Sequence, residues 1–76
     1  MGALPEHLTP DLWLAQAFGT KEVARGGVVK RRIRDVERLV GRARFLSEVE
    51  RRGFQAVENH RHFVIFCNSK PIRRVR

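Results

Sequence analysis

The spacing of apolar residues changes at Gly53, and this change limits the folds open to the chain. Before Gly53, apolar residues recur three or four positions apart, as they do on one face of a helix. After Gly53 they recur at every second position, as they do in a strand. We therefore predict an α+β fold, a small three-helix domain with a C-terminal β-hairpin.

The length of 76 residues leaves room for one domain with one small core. Domains of this size often need disulfides, metals or self-association for stability. Cys67 is the single cysteine, so an internal disulfide is excluded and self-association is the expected support. A lone Cys in an apolar run is typical of a buried residue in a reducing compartment. The sequence shows neither a membrane span nor a secretion signal, so we expect a cytoplasmic protein without a membrane partner.

The first predicted helix covers residues 10–18. Thr9 can cap it, Pro10 suits its first position, and Asp11 lies favourably at the positive end of the helix dipole. The helix is apolar nearly all round, so we expect it to be buried on several sides or to contact another chain. A short turn capped by Thr20 should follow.

A second, longer helix is predicted after the break at Gly26-Gly27. Its apolar residues lie within about forty degrees of Val29 on a helical wheel; they are Val29 itself, Ile33, Val36 and Val40. The opposite side of the same helix would carry Arg31, Arg34 and Arg38 as a basic stripe.

The third helix, residues 42–52, should end at Gly53 and lead into strands at 54–58 and 62–67. The second strand is apolar on both faces, so helices or a partner subunit should cover both. Residues 1–8 read as a loose lead-in, and 68–76 as a basic tail or an edge strand. The predicted core is Leu12, Trp13, Val29, Ile33, Val36, Leu46, Val49, Phe54, Val57, Phe63 and Ile65.

The order of these elements over residues 10–67 resembles the winged-helix variant of the helix-turn-helix. This resemblance implies that the third helix enters the major groove and that the hairpin touches the DNA backbone. Arg44, Ser47 and Arg51 would then face outward from the recognition helix, with His60 and Arg61 at the tip of the wing. Two acids on the same helix, at 48 and 50, depart from a DNA-reading surface.

Charge is sorted along the chain: all sixteen Lys and Arg residues lie at or after Lys21. A basic excess on so short a segment favours a polyanionic partner, with DNA favoured over RNA. We predict an accessory or regulatory protein that binds DNA through arginine–phosphate contacts, with weak sequence specificity. The predicted contact residues are Arg31, Arg34, Arg38, Arg42, Arg44, Arg51 and Arg61, with Arg73, Arg74 and Arg76 as an additional clamp.

An alternative from another class is an adaptor that docks on an acidic protein. Trp and Arg are enriched in interface hot spots. Under this hypothesis the chain docks through its apolar first helix and its basic face. Trp13 and Phe18 on that helix form the interface, either with a protein partner or with a second copy in a homodimer.

A catalytic alternative comes from residues 45–54, followed by a strand, a turn, a histidine and a strand. This segment resembles the HicA toxin family, small basic ribonucleases with a double-stranded-RNA-binding-like fold. The resemblance implies that His62 carries the activity. The chain departs from the family because no Gly-Ser precedes His62, the spacing from Gly53 is shorter and no closing helix follows.

Other chemistry has little support in the sequence. His60 and His62 would share one side of a strand, but Cys67 would lie on the opposite face, so no metal site is predicted. Gly26-Gly27 lacks the lysine and the spacing of a phosphate-binding loop. We predict no cofactor and no catalytic residues, and thus a protein that is not an enzyme.

Overall fold

The computed structural model of the protein describes residues 9–73 and 75. Within them, the chain forms four helices and a three-stranded antiparallel sheet, which confirms the α+β class. The elements are α1 (Pro10–Phe18), α2 (Lys21–Ala24), β1 (Val28–Arg32), α3 (Ile33–Leu39), α4 (Arg42–Arg51), β2 (Gln55–Asn59) and β3 (His62–Phe66). The predictions for the lead-in 1–8 and for Arg74 and Arg76 lie outside the described residues.

The ends of α1 and α4 follow from local chemistry. Thr9 Oγ1 accepts a hydrogen bond of 3.1 Å from the N–H of Leu12 and caps α1. At the end of α4, Gly53 adopts a φ of 75°. The N–H of Phe54 then donates to the carbonyl of Val49 at 2.9 Å, which closes the helix in a Schellman motif.

The predicted long helix through residues 29–40 is wrong in its first half. Residues 28–32 form β1, and the helix α3 begins at Ile33. β1 pairs with β3, placing Val29 opposite Ile65. The long-range hydrogen bonds of this pairing, together with the β-branched pair Val28-Val29, override the helical spacing, which Val29 fits only by coincidence.

The sheet has the strand order β1-β3-β2, so β3 is its central strand. The predicted hairpin is confirmed, and a two-residue turn of His60 and Arg61 joins β2 to β3. The third strand is β1 and not the C-terminal tail; residues 67–73 belong to no strand. His60 has a φ of 59°, a left-handed conformation that costs a non-glycine residue about 1–2 kcal/mol.

The core lies between one face of the sheet and the helices α1 and α4. Phe45 is fully buried, with its ring centroid 5.1 Å from that of Phe63 and 6.0 Å from that of Phe18. Leu12 and Val57, both predicted as core, are 38% and 41% exposed, so those two predictions are wrong. The buried residues are Leu14, Ala17, Phe18, Val23, Val36, Phe45, Val49, Phe63, Ile65 and Cys67.

Within the described residues, the helices cover one face of β3 and not the other, so the expectation of cover on both faces is met in part. Phe63 and Ile65 point into the core, whereas Val64 and Phe66 on the other face are half-buried and lie outside the core cluster. The longest helix in the described residues has ten residues, far fewer than a bilayer span requires.

Candidate nucleic-acid interface

A basic cleft opens where the tip of the hairpin meets the start of α3 and of α4. Its volume is about 980 Å³. The backbone fixes this junction, because the N–H of Ile33 donates to the carbonyl of Arg61 at 2.9 Å. The residues that line the basic cleft are Arg32, Ile33, Arg34, Glu37, Arg38, Arg42, Glu58, His60, Arg61 and His62. Five arginines face two glutamates, so the lining has a formal excess of three positive charges.

Four of these arginines are available to an incoming anion. Arg32, Arg34 and Arg61 are exposed and form no ion pair with any carboxylate in the described part of the chain. Arg38 lies near Asp35, but their closest atoms, Nη2 and Oδ1, are 3.7 Å apart, beyond hydrogen-bonding distance. A phosphate could replace this loose contact at little cost.

The fifth arginine, Arg42, is already engaged by the protein. Its guanidinium donates to Glu58, lies 3.6 Å from Glu37, and stacks 5.2 Å from the centroid of the Phe63 ring. The hydrogen bond from Arg42 to Glu58 raises the pKa of this arginine further. Arg42 therefore ties α4 to α3 and β2 and forms a structural wall of the basic cleft.

The other predicted contact residues do not join this group. Arg31 lies on β1 and not on a helix, so the predicted stripe of Arg31, Arg34 and Arg38 on one helix face is wrong. Its Nη2 donates to the carbonyl of Ala17 at 3.0 Å, satisfying the C-terminal end of α1. Arg44 is paired with Asp11.

Arg51 is held on the surface of α4 by a carboxylate that it shares with Arg52. Glu48 accepts two hydrogen bonds from Arg51, at 2.6 and 3.2 Å, and one of 2.6 Å from Arg52. These bonds, those from Arg51 first, lower the pKa of Glu48 to about 2. The acid at 48, which looked like a departure from a DNA-reading helix, thus neutralises a predicted DNA contact.

The lowered pKa of Glu48 predicts a specific acid sensitivity. The carboxylate contributes stability above its ordinary pKa of 4.5, and this contribution disappears as the pH falls towards 2. Because Arg51 is exposed, we expect a modest effect: Glu48→Gln should be less stable than wild type by about 1 kcal/mol at pH 7 and equally stable near pH 2. Urea unfolding at a series of pH values measures the unfolding free energy of both proteins. If the difference between them stayed the same at every pH, this prediction would be wrong.

The two residues of the predicted protein interface have different surroundings. Phe18 is 5% exposed and stacks on Phe45, so contact with another chain would require its ring to leave the core. Arg52 also lies over this ring, 4.8 Å from its centroid. Trp13 is half-buried and meets Phe45 edge-on at 6.3 Å. Less of the apolar surface of α1 is therefore accessible to a partner chain than the sequence predicted.

His62 lies half-buried on β3, opposite Asn59 on one side and Arg32 on the other. No group of three His, Cys, Asp or Glu side chains in residues 9–73 is arranged to hold a metal. Cys67 is buried, and this burial raises the pKa of its thiol. The ribonuclease activity implied by the resemblance to the HicA family stays a prediction.

Sequence reasoning missed Arg32 as a member of the site and assigned His60 only a place at the hairpin tip. Both face the basic cleft because β1 ends beside the hairpin turn. The sequence does contain a signal for this strand, because the valine pair at 28 and 29 favours a strand. A strand that begins there would have placed Arg32 at its C-terminal end.

Comparison with protein-family models, with curated proteins and with solved structures gives no match to this chain.

Proposed function

We propose that the protein binds duplex DNA through the phosphate backbone, and that the basic cleft is the binding surface. The observation that supports this most is the gathering of Arg32, Arg34, Arg38 and Arg61, none of which is hydrogen-bonded to a carboxylate of residues 9–73. Guanidinium groups bind phosphate oxygens in bidentate geometry, and like charges held together repel one another until an anion neutralises them.

The order of elements supports DNA as the polymer. α3 and α4 followed by the β2–β3 hairpin resemble the helix, helix, hairpin order of winged-helix proteins, in which α4 would be the recognition helix and the hairpin the wing. His60 and Arg61 at the hairpin turn would lie against the backbone.

Weak sequence specificity follows from the exposed side of α4. Ala43, Ser47 and Glu50 are exposed there, and the flanking arginines at 44 and 51 are paired with acids. Base edges are read by side chains free to form hydrogen bonds in the groove. The cleft therefore contacts phosphates, while α4 contributes shape and few base contacts.

The salt dependence of binding tests this proposal. With four phosphates neutralised, log affinity for a 20-base-pair duplex should fall with log salt at a slope of about −3.6, because each contact contributes about −0.9. Fluorescence anisotropy between 50 and 300 mM NaCl (roughly the range over which this effect is large) measures the slope.

Two competitors sharpen this experiment. Duplex DNA of unrelated sequence should compete about as well as the original duplex, and duplex RNA should compete less well. A flat salt response would remove the proposal. Cleavage of the RNA competitor, abolished by His62→Ala, would favour the ribonuclease alternative instead.

A further inference from the structure

The face of the sheet that points away from the helices carries nine side chains in three rows, which we call the open sheet face. None of the nine belongs to the core cluster. Read across β1, β3 and β2, the rows are Val28, Phe66 and Gln55; Lys30, Val64 and Val57; and Arg32, His62 and Asn59.

The middle of the open sheet face is unusually apolar for a solvent-facing surface. An antiparallel sheet with one wet face normally places polar residues there. Here the central strand contributes Val64 and Phe66, and the neighbouring strands add Val28 and Val57, which are 46% and 41% exposed. A central strand that is apolar on both faces is typical of a sheet covered on both sides.

Charge indicates what kind of molecule covers it. Lys30 and Arg32 stand along the β1 edge and His62 lies beside them, while none of the nine residues is a carboxylate. A second copy of this chain would bring the same cations and a further net charge of +8. An acidic partner is complementary to this surface.

Shape distinguishes an acidic protein from a nucleic acid. Three strands span about 10 Å between the outer two, and five residues extend about 17 Å, which matches a single helix of about 10 Å diameter. Sheets that bind single-stranded nucleic acid stack several bases on aromatic side chains. Phe66 is the single aromatic residue on the open sheet face apart from the His62 ring.

We propose that the open sheet face binds an amphipathic helix of an acidic protein partner. The apolar side of that helix packs on Val28, Val57, Val64 and Phe66, and acidic residues along its flank meet Lys30 and Arg32. This site differs from the surface predicted on α1. It shares Arg32 and His62 with the basic cleft, whereas Lys30 and Val57 lie outside the cleft, so variants at those two positions test it independently of DNA binding.

A designed peptide tests the proposal on the full-length protein. The probe is a 14-residue helix with leucines on one side and glutamates on its flanks, and the control is a scrambled peptide of the same composition. In an NMR titration we expect the valine methyl signals of residues 28, 57 and 64 to shift when the designed peptide is added. The scrambled peptide should bind at least about tenfold more weakly. Shifts confined to the basic cleft, or none at about 1 mM peptide, would overturn the proposal.

Charge-matched variants separate a specific site from general attraction. Lys30→Glu should weaken binding by about tenfold, whereas Lys21→Glu, the same change on the exposed surface of α2, should leave it within about twofold. Val57→Thr keeps the β-branched shape and should weaken binding severalfold without unfolding the protein. Equal losses from Lys30→Glu and Lys21→Glu would refute a defined site. Dimerisation of the free protein through this face, detected by sedimentation and lost in Val57→Thr, would identify a second copy as the occupant instead.

Discussion

Replacing Arg34 and Arg61 together by alanine is expected to lower the affinity for duplex DNA on the order of 60-fold at 0.1 M monovalent salt. The two arginines lie on opposite sides of the basic cleft, one on α3 and one at the hairpin turn, and neither is paired with a carboxylate of the described residues. Each lost phosphate contact removes about 0.9 from the salt slope, which should change from about −3.6 to about −1.8. Anisotropy titrations at four or more salt concentrations measure both quantities.

The matched control is the double substitution of Arg44 and Arg51 by alanine. It removes the same charge, but its two arginines are occupied by Asp11 and Glu48. We expect its salt slope to stay near that of wild type. If both double variants lose affinity equally, overall charge and not the basic cleft governs binding, and the proposed interface is wrong.

Truncation of Phe45 to alanine is expected to cost about 3–5 kcal/mol of unfolding free energy. The side chain is fully buried, and its ring contacts three others, those of Trp13, Phe18 and Phe63. A domain of this length has a total stability of about 4–11 kcal/mol, so this loss removes a large part of it and should lower the urea concentration at the unfolding midpoint markedly. Urea denaturation followed by tryptophan fluorescence measures the loss.

Leu12→Ala provides the comparison for this variant. Sequence reasoning placed Leu12 in the core, whereas its side chain is 38% exposed on α1. We therefore expect a loss of no more than about 1 kcal/mol. A loss for Leu12→Ala as large as that for Phe45→Ala would contradict the packing of α1 described above.

The boundaries of α1 and α4 were the most predictable part of the fold. The cap at Thr9, the proline at position 10 and the left-handed glycine at 53 act over three or four residues, so a short stretch of sequence contains the information. The hairpin followed from the alternation after Gly53 for the same reason. The strand β1 was not predictable in this way, because its partner β3 lies more than thirty residues further along the chain.

The prediction of β1 as part of a helix also changed which residues were assigned to the candidate site. Sequence reasoning selected Arg34, Arg38, Arg42 and Arg61, and the structure places all four at the basic cleft. It also selected Arg31, which the strand turns towards the end of α1, and it left out Arg32, which the same strand directs into the cleft. In a strand, neighbouring side chains point to opposite faces, so replacing a helix by a strand exchanged the roles of these two arginines.

The sequence by itself determined the surplus of arginine, the α+β class and the capped ends of α1 and α4, since charge and capping need no distant partner. The tertiary structure decided which arginines are free and which are paired, because an ion pair such as Arg44 with Asp11 joins residues far apart in the chain. It also decided that, among the described residues, the helices cover one face of the central strand and leave the other open. That outcome depends on where the helices pack, which no local pattern specifies.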